Sequence, residues 1–194
     1  MRARFRASPS SMIRAARGEV KPLVRKFDGK VFNAPNDIDV HPRGWVYMTD
    51  PFYVGPESLE LDHMSVFLWK PEDGSVTRVT SDVTKPNGVA VSPDGKTLYV
   101  AETNNGKPQL GNSEFAAWRM TLNAFPIKED GTLGPRRIIV DFGKDAGIDG
   151  MCLDAAGRIY AAVRNEKRFG IAVFDPATGK ELAFIPTPDL PTNC

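Results

Sequence analysis

The sequence lacks several features that define common functional classes. No apolar run reaches 18 residues, so the sequence predicts no membrane-spanning helix. Neither sign of charge dominates, since 25 Lys and Arg stand against 24 Asp and Glu, and we therefore expect no nucleic-acid or anionic-membrane partner. The Gly-x-Ser-x-Gly motif and glycine-rich phosphate loops are absent too. Their absence excludes the serine of an α/β-hydrolase and a nucleotide-phosphate loop.

Cysteine is scarce, with Cys152 and Cys194 as the two examples. They do not form a Cys-x-x-Cys pair, which excludes zinc ribbons and thioredoxin chemistry. Cys152 lies among apolar residues in a predicted strand. We therefore expect it to be a small buried thiol rather than a reactive one.

Helical periodicity longer than two turns is absent, whereas 16 Pro and 17 Gly provide many turns, so the sequence is typical of an all-β protein. The N-terminus is different, because several arginines precede the first acidic residue, Glu19. No apolar core follows them, so we predict no secretory signal; the compartment stays open, with the cytoplasm as the default. We predict that residues 1–19 form a ragged or disordered N-terminal segment.

A hairpin motif recurs three times between residues 20 and 194. Each copy begins with Asn or Asp and continues through a short apolar strand to a turn glycine eight residues after the start. It then returns through a strand that contains tyrosine. The starting residues are Asn36, Asn87 and Asp149. Units of roughly 40 to 50 residues with four strands each are typical of β-propeller blades. The sequence therefore predicts about three complete four-stranded blades plus stubs, too few to close a ring.

The three starting residues are the strongest candidates for a site. In a propeller the innermost strands surround a central channel, so Asn36, Asn87 and Asp149 should point to a common axial pocket. Two amide oxygens and one carboxylate suit calcium, magnesium or manganese better than a soft metal. The alternative is that each residue forms an Asx-turn before its strand.

Five further polar residues have weaker claims. His41 lies beside a turn proline and is expected at the surface. Asp50 and Glu102 end the second strand of their hairpins, where they either flank the channel or cap a loop. Lys85 and Arg164 lie near the axial end, and we expect solvated charges there, with contact to an anionic substrate as the alternative.

Three segments resemble the blade motifs of the senescence-marker-protein/gluconolactonase family, which includes regucalcin-like lactonases. These segments are NAPNDIDVHPRGWVYMTDP, KPNGVAVSPDGKTLYVAET and GIDGMCLDAAGRIYAAV. The resemblance covers residues 20–194 and implies an incomplete part of a six-bladed propeller that binds one divalent cation in its channel. Members hydrolyse sugar lactones, and related members cleave organophosphates.

The resemblance also implies roles for individual residues. Asn87 and Asp149 match the metal ligands, and Asp149 also matches the proposed general base. Asn36 matches an asparagine that contacts the metal, its water or the substrate. Nothing before Val20 resembles the blade that supplies the family's metal-binding glutamate. Calcium is the expected cation, with zinc and magnesium as alternatives.

We therefore expect metal-dependent hydrolysis of a sugar lactone, with this chain alone being a poor enzyme. Open blade edges should also promote self-association. Two alternatives remain at this point. One is a non-catalytic propeller that serves as a binding or scaffold module, and the other is a phosphotriester hydrolase that uses the same metal site.

Overall fold

The computed structural model describes residues 12–16, 19–53, 59–105, 119–144 and 146–194. These residues form strands, turns and loops but no helix, in five antiparallel sheets, so the predicted all-β class is confirmed. In these ranges there is accordingly no helix with the length and apolarity needed to cross a bilayer.

Two short hairpins come first. Strand β1 (Met12–Ala16) pairs with β2 (Glu19–Val24), and β3 (Lys26–Phe27) pairs with β4 (Lys30–Val31). The proposed boundary at residue 20 stays a prediction, and residues 1–11 lie outside the described ranges.

Three four-stranded sheets, here called blades I, II and III, follow in chain order, and in each one the strands are arranged sequentially. Blade I contains β5 (Ile38–Val40), β6 (Val46–Asp50), β7 (Ser65–Trp69) and β8 (Val76–Thr80). Blade II contains β9 (Pro86–Val91), β10 (Thr97–Thr103), β11 (Met120–Pro126) and β12 (Arg137–Gly143). Blade III contains β13 (Gly147–Leu153), β14 (Ile159–Arg164), β15 (Gly170–Phe174) and β16 (Glu181–Pro186). The three predicted four-stranded blades are therefore confirmed.

The turn that joins the first two strands is the same in all three blades. Its glycine has a positive φ, of 86° at Gly44, 70° at Gly95 and 81° at Gly157. In each copy the glycine N–H donates to the carbonyl three residues earlier, at 2.7 to 2.9 Å. Glycine is favoured there because a Cβ is strained in the left-handed region.

The hydrophobic core lies between consecutive blades. Between blades I and II it includes Tyr47, Leu68 and Leu98, each at most 1% exposed. Between blades II and III it includes Leu122 and Ile159, both essentially fully buried. Burying one such side chain stabilises a fold by about 1.5–3 kcal/mol, so each blade depends on its neighbours.

His41 is part of this packing, and its expected surface position is wrong. The side chain is 6% exposed and its ring stacks on Trp45, with ring centroids 4.9 Å apart. Its Nε2 lies 2.9 Å from the carbonyl oxygen of Gly95, while the N–H of Arg43 donates to Nδ1 at 3.1 Å. The acceptor role of Nδ1 requires that Nε2 carries the proton and donates to Gly95. His41 therefore joins the turns of blades I and II.

Candidate functional site

Three candidate residues come together at one end of the innermost strands. Asn36 lies two residues before β5, Asn87 is the second residue of β9, and Asp149 is the third residue of β13. All three line one cavity with a volume of about 620 Å³. Their shared place in the sequence repeat thus corresponds to a shared place in space.

Asn87 has the feature that a cation ligand requires. Its side chain is 6% exposed, and Oδ1 has no hydrogen-bond partner among the described residues. A buried polar atom left without a partner costs about 1–3 kcal/mol, so it needs an explanation. No described residue donates to this amide oxygen, and Asn87 lines the cavity wall, which fits a hard cation.

Asp149 supplies a carboxylate to the same cavity. Arg164 Nη1 donates to its Oδ2 at 3.1 Å. Arg164 is exposed, as expected of a solvated charge, and it also pairs with Asp149. Burial raises the pKa of the Asp149 carboxyl, whereas the hydrogen bond and charge of Arg164 and a hydrogen bond with Asn87 oppose this rise.

Asn36 lies at the exposed mouth of the cavity. Its backbone N–H donates to the carbonyl of Thr49 at 2.9 Å, which fixes the chain just before β5. The side chain can therefore meet an entering ligand while the backbone stays in place.

Two aspartates beside Asn36 were missed by sequence reasoning. Asp37 Oδ2 accepts from the N–H of Val89 at 3.0 Å, and Asp39 Oδ2 accepts from the N–H of Val91 at 2.7 Å. Burial raises the pKa of Asp37 to about 6, and the charges of Asp39 and Asp149 add to the rise. The two carboxylates join β5 to β9. Asp39 is in β5 and Asp37 directly precedes this strand. Their spacing of two residues, which places both side chains on one face of an extended chain, could have revealed them.

Lys85 is buried rather than solvated as expected. Its side chain is 0% exposed, Nζ donates to Asn105 Oδ1 at 2.8 Å, and the ammonium lies 5.5 Å from the ring centroid of Tyr53. Burial lowers the pKa of Lys85 to about 8. Asn105 and Tyr53 both line the cavity, so Lys85 places a positive charge behind its wall.

Asp50 and Glu102 cap loops and do not line the cavity. Both side chains are 0% exposed. The backbone N–H groups of Asn33 and Ala34 donate to the Asp50 carboxylate at 2.9 and 2.8 Å. At the same place in blade II, the N–H and hydroxyl of Thr84 donate to Glu102 Oε1 at 3.0 and 2.7 Å. Each acid therefore holds the segment that leads into the innermost strand of its own blade.

The donor set is oxygen-only and carries one negative charge. In the described ranges no group of three or more His, Cys, Asp or Glu side chains is arranged to hold a metal ion. The candidate ligands are instead two amides and one carboxylate, which suit a hard cation but supply little charge to bind it. Asn36, Asn87 and Asp149 therefore fit a hard divalent cation such as calcium, as some of its ligands rather than the complete set.

Comparison with known proteins agrees with the blade motifs. A family model described as SMP-30/Gluconolactonase/LRE-like region matches residues 6–194. A gluconolactonase from Zymomonas mobilis is 31% identical over 160 residues, which cover 79% of this chain and 42% of that protein. Regucalcin from Xenopus laevis is 30% identical over 178 residues, which cover 90% of this chain and 54% of that protein.

The solved structure of a gluconolactonase from Xanthomonas campestris shares the fold. The TM-score is 0.78 with 32% sequence identity, and the match covers 95% of this chain and 57% of that structure. The chain thus spans about half the length of the relatives that it matches.

Proposed function

Because this chain belongs to the SMP-30/Gluconolactonase/LRE-like family, we propose that the whole protein hydrolyses sugar lactones. By the whole protein we mean this chain with any residues that flank it. The observation that carries the proposal is that Asn36, Asn87 and Asp149 line one cavity of about 620 Å³. We assign the active site to this cavity.

A divalent cation is suggested by relatives that are named gluconolactonase and regucalcin. Asn87 and Asp149 would hold the cation, and Asn36 would be a further ligand or a substrate contact. Calcium is our first choice because it accepts amide and carboxylate oxygens in flexible geometry, and magnesium and zinc are the alternatives. When bound, such a cation polarises the lactone carbonyl and lowers the pKa of a bound water.

Asp149 would act as the general base. Its carboxylate would take a proton from the water as that water adds to the lactone carbonyl. The ring C–O bond then breaks, and the proton passes from Asp149 to the departing ring oxygen to give the hydroxy acid. Burial raises the pKa of Asp149, which strengthens it as a base. Arg164 would orient the carboxylate through its contact at 3.1 Å.

The test is an assay of the whole protein with δ-gluconolactone and with a phosphotriester, each before and after treatment with a chelator. We expect lactone hydrolysis that the chelator abolishes and that added calcium restores. Faster turnover of the phosphotriester than of the lactone would instead indicate a phosphotriester hydrolase that uses the same metal site. Turnover of neither compound by a folded protein would indicate a binding module.

A further inference from the structure

Two cysteine thiols lie close together outside the cavity that we assign to catalysis. Cys152 is in β13 and Cys194 follows 42 positions later, yet their Sγ atoms are 3.6 Å apart. Cys152 is exposed, so its expected role as a small buried thiol is wrong. β13 is an innermost strand, and Cys152 lies on the part of it that solvent reaches.

Several contacts hold residue 194 beside this strand. The Gly150 N–H donates to the carbonyl of Thr192 at 2.8 Å, and the Cys194 thiol donates to the carbonyl of Tyr160 at 3.2 Å. Gly150 also packs so closely on Asn193 that a Cβ on Gly150 would clash with the Asn193 side chain. Because the backbone of both partners is held in place, the two sulfurs meet without a large movement of either segment.

We propose that Cys152 and Cys194 form an oxidation site. When a peroxide oxidises this site, the two cysteines become linked to each other by an intramolecular disulfide. Exposure makes Cys152 the sulfur that reacts first. Its thiolate attacks one peroxide oxygen, the O–O bond breaks, and hydroxide leaves and takes a proton to form water, which yields a sulfenic acid. The Cys194 thiolate then attacks that sulfur, an S–S bond forms, the S–O bond breaks, and a second water leaves. The two thiols lose two electrons in total, and the peroxide gains them.

The disulfide has a structural consequence for β13, the strand that carries Asp149. It fixes residue 194, and with it Asn193, against Gly150, the residue next to Asp149 in β13. The bond also closes a long loop, which restricts the unfolded chain. Oxidation should therefore stabilise the chain, with the melting temperature rising by roughly 5–15 °C.

The experiment treats the 194-residue chain with hydrogen peroxide and follows it by intact mass, thiol titration after denaturation, and non-reducing gel electrophoresis. We expect the loss of two hydrogen atoms and of both thiols, with no covalent dimer. The higher melting temperature should return to its original value after a dithiol reductant. Peptide mapping should find Cys152 linked to Cys194.

Cys152→Ser and Cys194→Ser are the matched controls. Neither variant should lose two hydrogen atoms or gain stability with peroxide, although both should fold and melt like the untreated chain. Covalent dimers as the main product, or oxygen addition to the wild type without a disulfide, would overturn the proposal. These readouts do not depend on lactone hydrolysis, so the result is separate from that of the proposed function.

Discussion

Single polar side chains that are buried at a cost in free energy define the cavity. Asn87 has a buried amide oxygen with no partner in the part of the chain that the structure describes, and Asp149 has a carboxyl whose pKa burial raises. Of the buried amide oxygens that have no partner among the described residues, that of Asn87 belongs to a residue that lines this cavity, whereas Asn33 and Asn123 do not line it. The two residues should therefore contribute differently. The amide oxygen of Asn87 can bind a cation but cannot take a proton, whereas the carboxylate of Asp149 can do both.

Asp149→Asn in the whole protein separates binding from proton transfer. Asparagine keeps a ligand oxygen but cannot act as a base, so turnover of δ-gluconolactone should fall by about 10² to 10⁴-fold. Calcium affinity, measured by calorimetry, should fall less than turnover does, because the ligand oxygen is kept although its charge is lost. Asp154→Asn is the control, because Asp154 pairs with Arg158 at the surface of the same blade and should leave turnover unchanged. Equal modest losses of turnover and affinity would remove Asp149 from the role of base.

Lys85→Met tests the buried ammonium behind the cavity wall. Burial lowers the pKa of Lys85 to about 8 in the folded chain. The unfolded chain therefore binds more protons between pH 8 and about 10.5, and this group makes the free energy of unfolding increase with pH across that window. The free energy of unfolding is measured by denaturant at pH 8 and at about pH 10.5. Its increase between these two pH values should be larger in the wild type than in Lys85→Met by about 1–3 kcal/mol. Parallel pH profiles would show that the ammonium is well hydrated.

At the element scale, buried acids hold the entry into the innermost strands. Asp50 does this in blade I and Glu102 in blade II. In Asp50→Ala the N–H groups of Asn33 and Ala34 lose their acceptor, so the free energy of unfolding should fall by about 2–5 kcal/mol. Denaturant unfolding checks this value. Asp130→Ala, which removes an exposed turn carboxylate, should cost clearly less, and equal effects would contradict the capping role.

The inner hairpin of each blade could be predicted from the sequence, because the residues that specify it are close together along the chain. Alternating apolar residues and a turn glycine predicted the hairpins around Gly44, Gly95 and Gly157, and φ is positive at all three. The same local register predicted that Asn87 and Asp149 share an end of the blades, and both line the cavity.

Burial could not be predicted in the same way, because it depends on the neighbouring blade. His41 lies beside a turn yet stacks in an interface, since its partner Gly95 comes from blade II. Lys85 is buried through Asn105 and Tyr53, which are distant in sequence, and Cys152 is exposed although its sequence neighbours are apolar. A single strand does not reveal which of its faces another blade will cover.

At the scale of the whole molecule, blade III presents an exposed strand. β16 pairs with β15 alone in the described ranges, and Leu182 and Ile185 on it are 48% and 49% exposed. Strand edges with apolar side chains promote pairing with another chain. We predict that the purified 194-residue chain self-associates in light scattering, and that Leu182→Lys combined with Ile185→Lys reduces this. A monomeric wild type at the same concentration would contradict the prediction.

Calcium titration of the metal-free whole protein is the sharpest test of whether residues from successive blades together hold a divalent cation. Calorimetry should find one site in the wild type and an affinity at least about tenfold lower in Asn87→Ala, a loss of roughly 1.4 kcal/mol. Without metal the two proteins should melt at the same temperature. Asn123→Ala is the matched control, because Asn123 is a buried asparagine that bonds within blade II, so this variant should lose stability and keep its affinity. Unchanged calcium binding in Asn87→Ala would show that Asn87 is not a ligand, and a lower melting temperature without metal would show that its role is structural.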